Sequence, residues 1–557
     1  MVSNRFKLNV NVDSSHNIRG ARKKVKDKIA EVLSNNGFIV DPQFENQPVK
    51  LSVFSIKIEG DNEKICDEYL LSVHASSEKG LDLSISFVGE AKFALLEKTE
   101  DAIFNSSYIK YIENNKVKHT NKVEDLIGKF IKIPSDIIPC SYKERYNKIK
   151  SLVEKISSFN YDFFTIDTKL EEVNENNVKI FYIDNPLLFK DNNTGNFSYE
   201  GLEKYGFLKQ VEKPRTFLII ASNQIYAERI SHYFEQFSDF ERYLGFSYKE
   251  YPSIILKKDD TVDIHERIPQ DAYVILAIDD NNITHRIQQS LLEKGIPFSL
   301  FATDFVMNDS FYISIPEIML SIQYKMGGVP FLLNTQDTSS AVCGVKSLLD
   351  RYGNVYFDSV VFDGTGRLLN IFATKGDMKT DLSKFVSILR KLNLDKYFFH
   401  ISDYIAYMKD SALYHSALRE LGKPYALTVF DTVHPYMDIV FDTADKRVYM
   451  PMNGTCVYVG DNKRLLFNNN KYTQNSIINF KNEPAPISIR NFIYKNKIDE
   501  DEVIEKVFLF SYLNYRSFKK HFLPSTTYYT KKLMEQIQYL KLPLPDNEVA
   551  RKSLWFI

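Results

Sequence analysis

The sequence predicts a multidomain α/β protein: an N-terminal α+β region, a doubly wound α/β domain, and a second α/β domain built on a mixed sheet. Three observations predict it. The chain has 557 residues, more than one hydrophobic core normally holds. Its first part alternates period-two extended segments with a basic helix. From Arg215 onward, short apolar runs such as Thr216 to Ala221 (TFLIIA) and Ala272 to Ile278 (AYVILAI) are separated by amphipathic helical stretches. Strands alternating with helices imply a parallel sheet, whose ligands gather at the strand C-terminal ends. The expected divisions are 1–205, 206–325 and 326–557.

In the first region Lys7 to Val12, Lys50 to Ile58, Leu70 to His74 and Leu81 to Val88 read as strands. Asn17 to Ser34 reads as a helix carrying Arg19, Arg22, Lys23, Lys24, Lys26 and Lys28, the most basic stretch of the chain. A cluster of cations suits nucleic-acid phosphates, and it equally suits a solvated helix face. Arg145 to Ile156 reads as an amphipathic helix. Lys190 to Glu203 is polar and turn-rich, so it reads as a long loop with a domain edge between it and Pro214.

The second domain opens with the strand Thr216 to Ala221 and a helix Gln224 to Phe237. Its next strand, Ala272 to Ile278, leads through Asp279 and Asp280 into a helix, Ile283 to Lys294, ended by Gly295 and Pro297. Phe298 to Ala302 is a further strand. The stretch Pro316 to Asp350 then carries the most information. A helix with Ile318, Met319, Ile322 and Met326 at helical spacing is stopped by Gly327-Gly328, because glycine tolerates the left-handed conformation past a helix end. Val329-Pro330-Phe331 is extended, and Ala341 to Val345 is a short buried strand. Strands at Val355 to Phe362, Leu368 to Thr374, Tyr397 to Ile401 and Tyr425 to Phe430 follow. They are interleaved with helices at Asp381 to Leu392 and near Ala412 to Leu421. A hairpin-like tract, Arg447 to Leu466, and helices at Glu502 to Leu513 and Tyr528 to Leu540 close the chain.

Composition narrows the function classes. The chain is 44% hydrophobic and 26% charged, ordinary for a soluble globular protein, and its formal charge of −1 advertises no global field for nucleic acid. A local basic groove is compatible with that total. The four cysteines lie far apart with no ligand spacing, so neither zinc nor a disulfide framework is indicated. MVSNRFKLNV lacks the apolar core of a signal peptide and no long uncharged apolar run exists, so a cytoplasmic protein without membrane contact is expected. There is no Walker A loop, GxSxG elbow or HExxH. Asp363-Gly364-Thr365-Gly366 lies between strands and reads as a hairpin turn rather than a phosphate loop.

The helix, the Lys325-Met326-Gly327-Gly328 stop and the following strand resemble the junction of MID and PIWI domains in Argonaute proteins. The element order from Ala341 to the end resembles a PIWI domain, so the resemblance covers about Arg215 to Ile557. It implies a MID-like domain at 206–325 and an RNase H-like PIWI domain at 326–557. The first 205 residues would be an N-terminal and linker region, or the domain found with short prokaryotic Argonautes, with little room for a PAZ domain.

Argonautes hold the guide 5′ phosphate with a tyrosine and a lysine one helical turn apart, a glutamine after the next loop, and a lysine before the Gly-Gly. By spacing these positions fall on His285, Gln289, Ser299 and Lys325, of which Lys325 alone keeps its charged family identity. His285 and Gln289 share one helix face and could donate hydrogen bonds, or serve structure. Lys325, at the margin of an apolar stripe, requires a partner or an anion, or snorkels to the surface. The resemblance adds the final carboxylate at Ile557 as a possible ligand for Mg²⁺ at the guide end, although packing alone explains Leu554, Trp555 and Phe556 equally well.

An active PIWI core holds two divalent metals on clustered carboxylates. The first should end the opening strand, where Cys343-Gly344-Val345-Lys346 places a lysine. The last should follow Pro524-Ser525-Thr526-Thr527-Tyr528-Tyr529-Thr530, where Lys531 stands, and the middle position falls on Ser402 or Asp403. Ammonium groups at metal positions repel the cations. Asp350, Asp358 and Asp363 do not assemble from sequence into a replacement. The resemblance therefore implies a catalytically inactive, short or PAZ-lacking Argonaute. It would bind a short guide RNA or DNA, capture complementary target nucleic acid, and act in prokaryotic defence through a separate effector protein. The alternatives are a PIWI-fold interaction scaffold without guide binding and a nuclease with relocated carboxylates.

Overall fold

A computed structural model describes the chain outside residues 1, 4, 13–17, 42–49, 76–80, 98–108, 121, 123–125, 134–141, 168–177, 238–240, 243–244, 257–266, 351–352, 403, 432–438, 443–447, 450–451, 459–462, 469–486, 495–497 and 542–543. The chain forms two compact units. One comprises Met1–Val178 with Val433–Met452 and Gln474–Pro486; the other comprises Lys179–Thr432, Asn453–Thr473 and Ile487–Ile557. Residues 179–205, assigned from sequence to the N-terminal region, therefore pack with the second unit. Leu187–Leu188 pairs antiparallel with Leu332–Leu333, which fixes that segment there.

The first unit is organised on a nine-stranded sheet that folds back on itself, since Leu81–Leu95 pairs with Arg5–Val12, Glu63–Ala75 and Phe130–Ile133. Two of its strands run well beyond the apolar stretches that announce them: Glu63–Ala75 and Leu81–Leu95. Their extensions bury Cys66, Ala91 and Phe93 in a second apolar cluster and also pair charges, with Lys148 on Asp67 at 2.6 Å and Lys132 on Glu68 at 2.8 Å. The helix Ile18–Asn35 buries Ala21, Val25, Ile29 and Leu33, the expected stripe at helical spacing.

The second unit begins with a wholly parallel four-stranded sheet in the order Ile254–Ile255, Thr216–Ala221, Ala272–Ala277, Phe298–Leu300. Ala272–Ala277 is completely buried, which is why it reads as an unbroken apolar run. The helix Asn281–Lys294 starts where expected: Asp280 Oδ1 accepts from the backbone N–H of Asn282 at 2.7 Å and of Ile283 at 3.2 Å. It stops at Gly295, which is left-handed with φ of 66°. The junction helix is Ile315–Lys325, with Pro316 in its first turn and Gly327 at φ of 88° just past its end.

A nine-stranded mixed sheet follows. Ser340–Leu349 pairs antiparallel with Val355–Asp363 and parallel with Lys396–Ile401, and Val355–Asp363 continues antiparallel to Leu368–Gly376. Lys396–Ile401 pairs parallel with Tyr425–Asp431, which pairs antiparallel with Ile487–Tyr494. This is the RNase H-like order that the resemblance implied. The opening strand is longer than its expected core Ala341–Val345: pairing with Val355–Asp363 continues to Leu349, with Ser347 still buried and only Leu349 fully exposed. Two further readings change. Lys190 to Glu203 is not all loop, since it runs into a helix at Ser198–Tyr205. The helix expected near Ala412 to Leu421 spans Tyr404–Arg419. One continuous core joins the parallel domain, the junction helix and the mixed sheet.

The helix Ser525–Leu540 crosses the opening strand at Gly344, where an added Cβ would lie 2.1 Å from Thr526 O and 2.4 Å from Thr530 Oγ1. Backbone cannot yield as a side chain does. Gly344→Ala is expected to cost about 1–3 kcal/mol or more, read as a lower urea midpoint with an unchanged slope.

Candidate nucleic-acid interface

A cavity of about 680 Å³ lies where the last parallel strand, the junction helix, the helix Asn281–Lys294 and the end of the chain converge. Lys325 and Ser299 both line it. Lys325 is buried, and its Nζ donates to Phe298 O at 3.2 Å and to Ser299 Oγ at 3.3 Å. Ser299 Oγ also meets the buried Tyr273 hydroxyl at 2.7 Å. These acceptors are all neutral. The nearby charge that acts on Lys325 is a second cation, Arg516, and with burial as the larger cause the Lys325 ammonium is pushed down to about 7.

Arg516 comes from the loop before the helix Ser525–Leu540, just upstream of the Pro524 to Lys531 stretch but outside it. Tyrosines hold that loop in place. The backbone N–H of Tyr515 donates to Tyr529 Oη at 2.8 Å, Tyr515 Oη donates to Phe331 O at 3.1 Å, and the Tyr515 ring stacks on Tyr324 at 4.0 Å. Arg516 Nη1 then donates to Tyr528 Oη at 3.0 Å. Sequence reasoning missed this residue because nothing in its local spacing signals the cavity.

His285 and Gln289 do not line the cavity. His285 Nε2 donates to Leu540 O at 2.9 Å and Gln289 Nε2 to the same oxygen at 2.7 Å. Both side chains thus satisfy a carbonyl left open at the end of the helix Ser525–Leu540. One residue earlier, and about 100° around the helix, Thr284 and Gln288 face the cavity instead. Both are 2% exposed, and Gln288 Oε1 has no hydrogen-bond partner among the described residues. Trp555 Nε1, on the opposite wall, has none either. Two residues of the cavity wall thus carry a buried, unpaired polar atom, alongside the cations Lys325, Arg516 and Lys532. Ile557 lines it as expected.

At the position expected to hold metals, Lys346 stands directly across from Asp358 in the strand register. Asp358 is fully buried, its carboxyl oxygens have no partner among the described residues, and burial pushes its pKa well above the carboxylate range. His400 donates or accepts at Thr526 Oγ1 through Nδ1 at 2.7 Å, and burial lowers its pKa to about 3, so its ring is neutral. Ser402 follows the strand Lys396–Ile401, its hydroxyl buried and unpaired among the described residues. Asp403 lies outside the described residues. Lys531 is exposed, while Thr526, Thr527 and Thr530 form the buried face of that helix. Asp350 is held by Asn354, and Asp363 Oδ1 binds Thr365 and Arg367 of a hairpin turn, as that turn reads from sequence. Among the described residues no three His, Cys, Asp or Glu side chains are grouped to hold a metal.

No family model matches the chain. A Piwi protein of Archaeoglobus fulgidus is 23% identical over 305 residues, 48% of this chain and 70% of that one. The whole architecture matches solved structures. Marinitoga piezophila Argonaute, in complex with 5′ OH guide RNA, superposes with a TM-score of 0.55 at 12% identity, over 99% of this chain and 98% of that one. Kluyveromyces polysporus Argonaute with a guide RNA gives 0.60 at 14% identity, over 95% and 82%. This is the Argonaute–Piwi fold.

Within the Argonaute fold, the basic helix of the first unit divides. Arg22, Lys23 and Lys24 are exposed, whereas Lys26 is buried against the core stripe and pairs with Asp27 at 3.1 Å. Lys26 is therefore not a phosphate contact, and the side chain of Arg19 lies outside the described residues. The contrast between neighbouring glutamines gives a test of the cavity register. Gln289→Ala loses a hydrogen bond to Leu540 O and should cost about 1 kcal/mol of stability. Gln288→Leu replaces an unpaired buried amide by apolar atoms and should be neutral or stabilising. Urea denaturation of the two variants checks both.

Proposed function

We propose that the chain binds a short guide RNA or DNA with the guide's 5′ end in the cavity at Lys325, and captures a complementary target strand. One observation carries this reading: a buried ammonium with neutral acceptors alone, next to a second cation, in a cavity large enough for a terminal nucleotide. Burying a cation without a counter-charge is costly, so such a site favours an anion. A terminal phosphate would accept from the third Lys325 N–H and from Arg516, and Gln288 and Trp555 could meet the attached sugar and base. Two solved structures of this fold, the Marinitoga piezophila and Kluyveromyces polysporus Argonautes, hold a guide RNA, which supports guide binding.

Among the described residues of the cavity wall, the terminal carboxylate of Ile557 is the one acidic group left for Mg²⁺ at this end, too few oxygen ligands beside Lys325 and Arg516. Glu317 accepts from Ser517 Oγ at 2.5 Å and Phe518 N–H at 3.2 Å, and Glu535 pairs with Lys532 at 2.7 Å. Lys325 and Arg516 would supply the positive charge that a metal otherwise brings.

We further infer that the chain does not cut its target. Lys346 at the end of the opening strand, a neutral His400 and a lone buried Asp358 support this, because two metals need several ionised carboxylates. The output then falls to a separate effector protein, and we place the complex in the cytoplasm in prokaryotic defence. No helix among the described residues is long and apolar enough to cross a membrane.

Filter binding with one short strand carrying either a 5′ phosphate or a 5′ hydroxyl tests the site. The wild type should prefer the phosphate, and Lys325→Met should lose about 10- to 100-fold for the phosphorylated strand, the worth of a charged hydrogen bond, with little change for the hydroxyl strand. No binding of either strand at low salt would favour the interaction scaffold. Metal-dependent cleavage of a labelled target, abolished by chelator, would favour relocated carboxylates instead.

A further inference from the structure

Every charged or titratable group around Lys325 can be placed. Its own helix contributes Glu317, which is engaged by Ser517 and Phe518. The parallel sheet contributes the Tyr273 hydroxyl, reached through Ser299. The helix Ser525–Leu540 contributes Lys532 and Glu535, paired with each other, and the loop before it contributes Arg516. Ile557, the C-terminal residue, also lines the cavity, and no ion pair of its carboxylate with Lys325 or Arg516 is found among the described residues. Lys325 itself is 5% exposed and donates to a carbonyl and a hydroxyl, neither of which compensates a positive charge. The site is thus built so that its central nitrogen is better off neutral until an anion arrives.

We propose that guide loading is coupled to proton uptake: a strand bearing a 5′ phosphate protonates Lys325 as it enters, so the cavity holds phosphate firmly in neutral solution and loosens as the solution becomes alkaline. This rests on the reading that the cavity takes the guide's 5′ end. Burial, then Arg516, lowers the Lys325 ammonium to about 7, so an appreciable fraction is deprotonated at neutral pH. A phosphate against Nζ raises that value again. A group whose pKa is raised by binding strengthens binding fully below its free value, and the gain is lost as pH rises toward its bound value. The decline approaches about tenfold per pH unit in that window, one proton per strand bound. The phosphate titrates the other way near about pH 6 and is fully dianionic above about pH 7.5, so an alkaline decline belongs to Lys325.

The test measures affinity of the full chain for the same short strand, with 5′ phosphate or 5′ hydroxyl, from about pH 6.5 to 9 at constant ionic strength. Calorimetry at about pH 8 in two buffers of different ionisation enthalpy counts protons. The expected result is a several-fold to tenfold fall per unit above pH 7.5 for the phosphorylated strand and a flat profile for the hydroxyl strand. Uptake should be close to one proton for the phosphorylated strand alone. Lys325→Arg should abolish the uptake. Arg516→Gln, at an exposed position that folding tolerates, should move the fall to higher pH by removing the repelling charge. A phosphate preference that stays constant across the range without proton uptake overturns the coupling and leaves the site reading intact. Equal affinity for both strands at every pH overturns both.

Discussion

The constraint on which the second unit turns is a buried lysine whose hydrogen-bond acceptors among the described residues are both neutral. Lys325 ends the junction helix, and that helix ends there because Gly327 takes a left-handed conformation. Its Nζ reaches the start of the last parallel strand at Phe298 and Ser299, and the cavity beside it is also lined by Ile278, Leu300 and Phe301 at the C-terminal ends of the strands, where such sheets gather ligands. Around it the packing is tight: Tyr324 stacks on Tyr515, and Phe298 meets Trp555 at 6.3 Å. The continuous core beneath the parallel and mixed sheets holds these parts in register, which matters because a buried charge is tolerable only where its surroundings are fixed.

Sequence reading recovered the architecture where apolar pattern and capping chemistry agree. Thr216–Ala221 and the helix beginning after Asp280 are found to the residue or nearly so, because each has a sharp local cause. It failed where the cause is remote. The strands Glu63–Ala75 and Leu81–Leu95 outrun their expected segments because the interspersed Cys66, Ala91 and Phe93 pack in one cluster with Phe54 and Val117 from other strands, while ion pairs to Lys132 and Lys148 hold their polar residues. The helix Ser198–Tyr205 sits in a polar, turn-rich tract, and only its Leu202, Gly201 and Ser198 are buried. Gly201 leaves no room for a Cβ against Phe189, a tertiary fact that no local propensity carries.

The cavity shows the same division in miniature. Lys325 and Ser299 were legible, since a Gly-Gly stop and a strand fix their places. The helix register was misread by one residue: polar Thr284 and Gln288 are buried toward the cavity, while His285 and Gln289 close a neighbouring helix end. Polarity does not report which polar face points to a ligand. Arg516 had no sequence signal, because tyrosine hydroxyls and ring stacking place it.

The two halves of the PIWI-like site obey one electrostatic logic. At the cavity, the cations Lys325 and Arg516 stand close together with acidic neighbours tied elsewhere, which suits an incoming anion. At the position where the fold would hold metals, charge is instead removed or reversed. Burial pushes the Asp358 carboxyl well above its ordinary range, His400 is held neutral by burial against Thr526, and Lys346 carries the wrong sign for a metal ligand. A divalent cation there would have to ionise a desolvated acid and displace an ammonium, whereas a phosphate at Lys325 has only to complete a charge that the protein leaves unbalanced. The chain's net charge of −1 accords with the proposed function, under which holding one strand by its end takes a concentrated local field and not a global one.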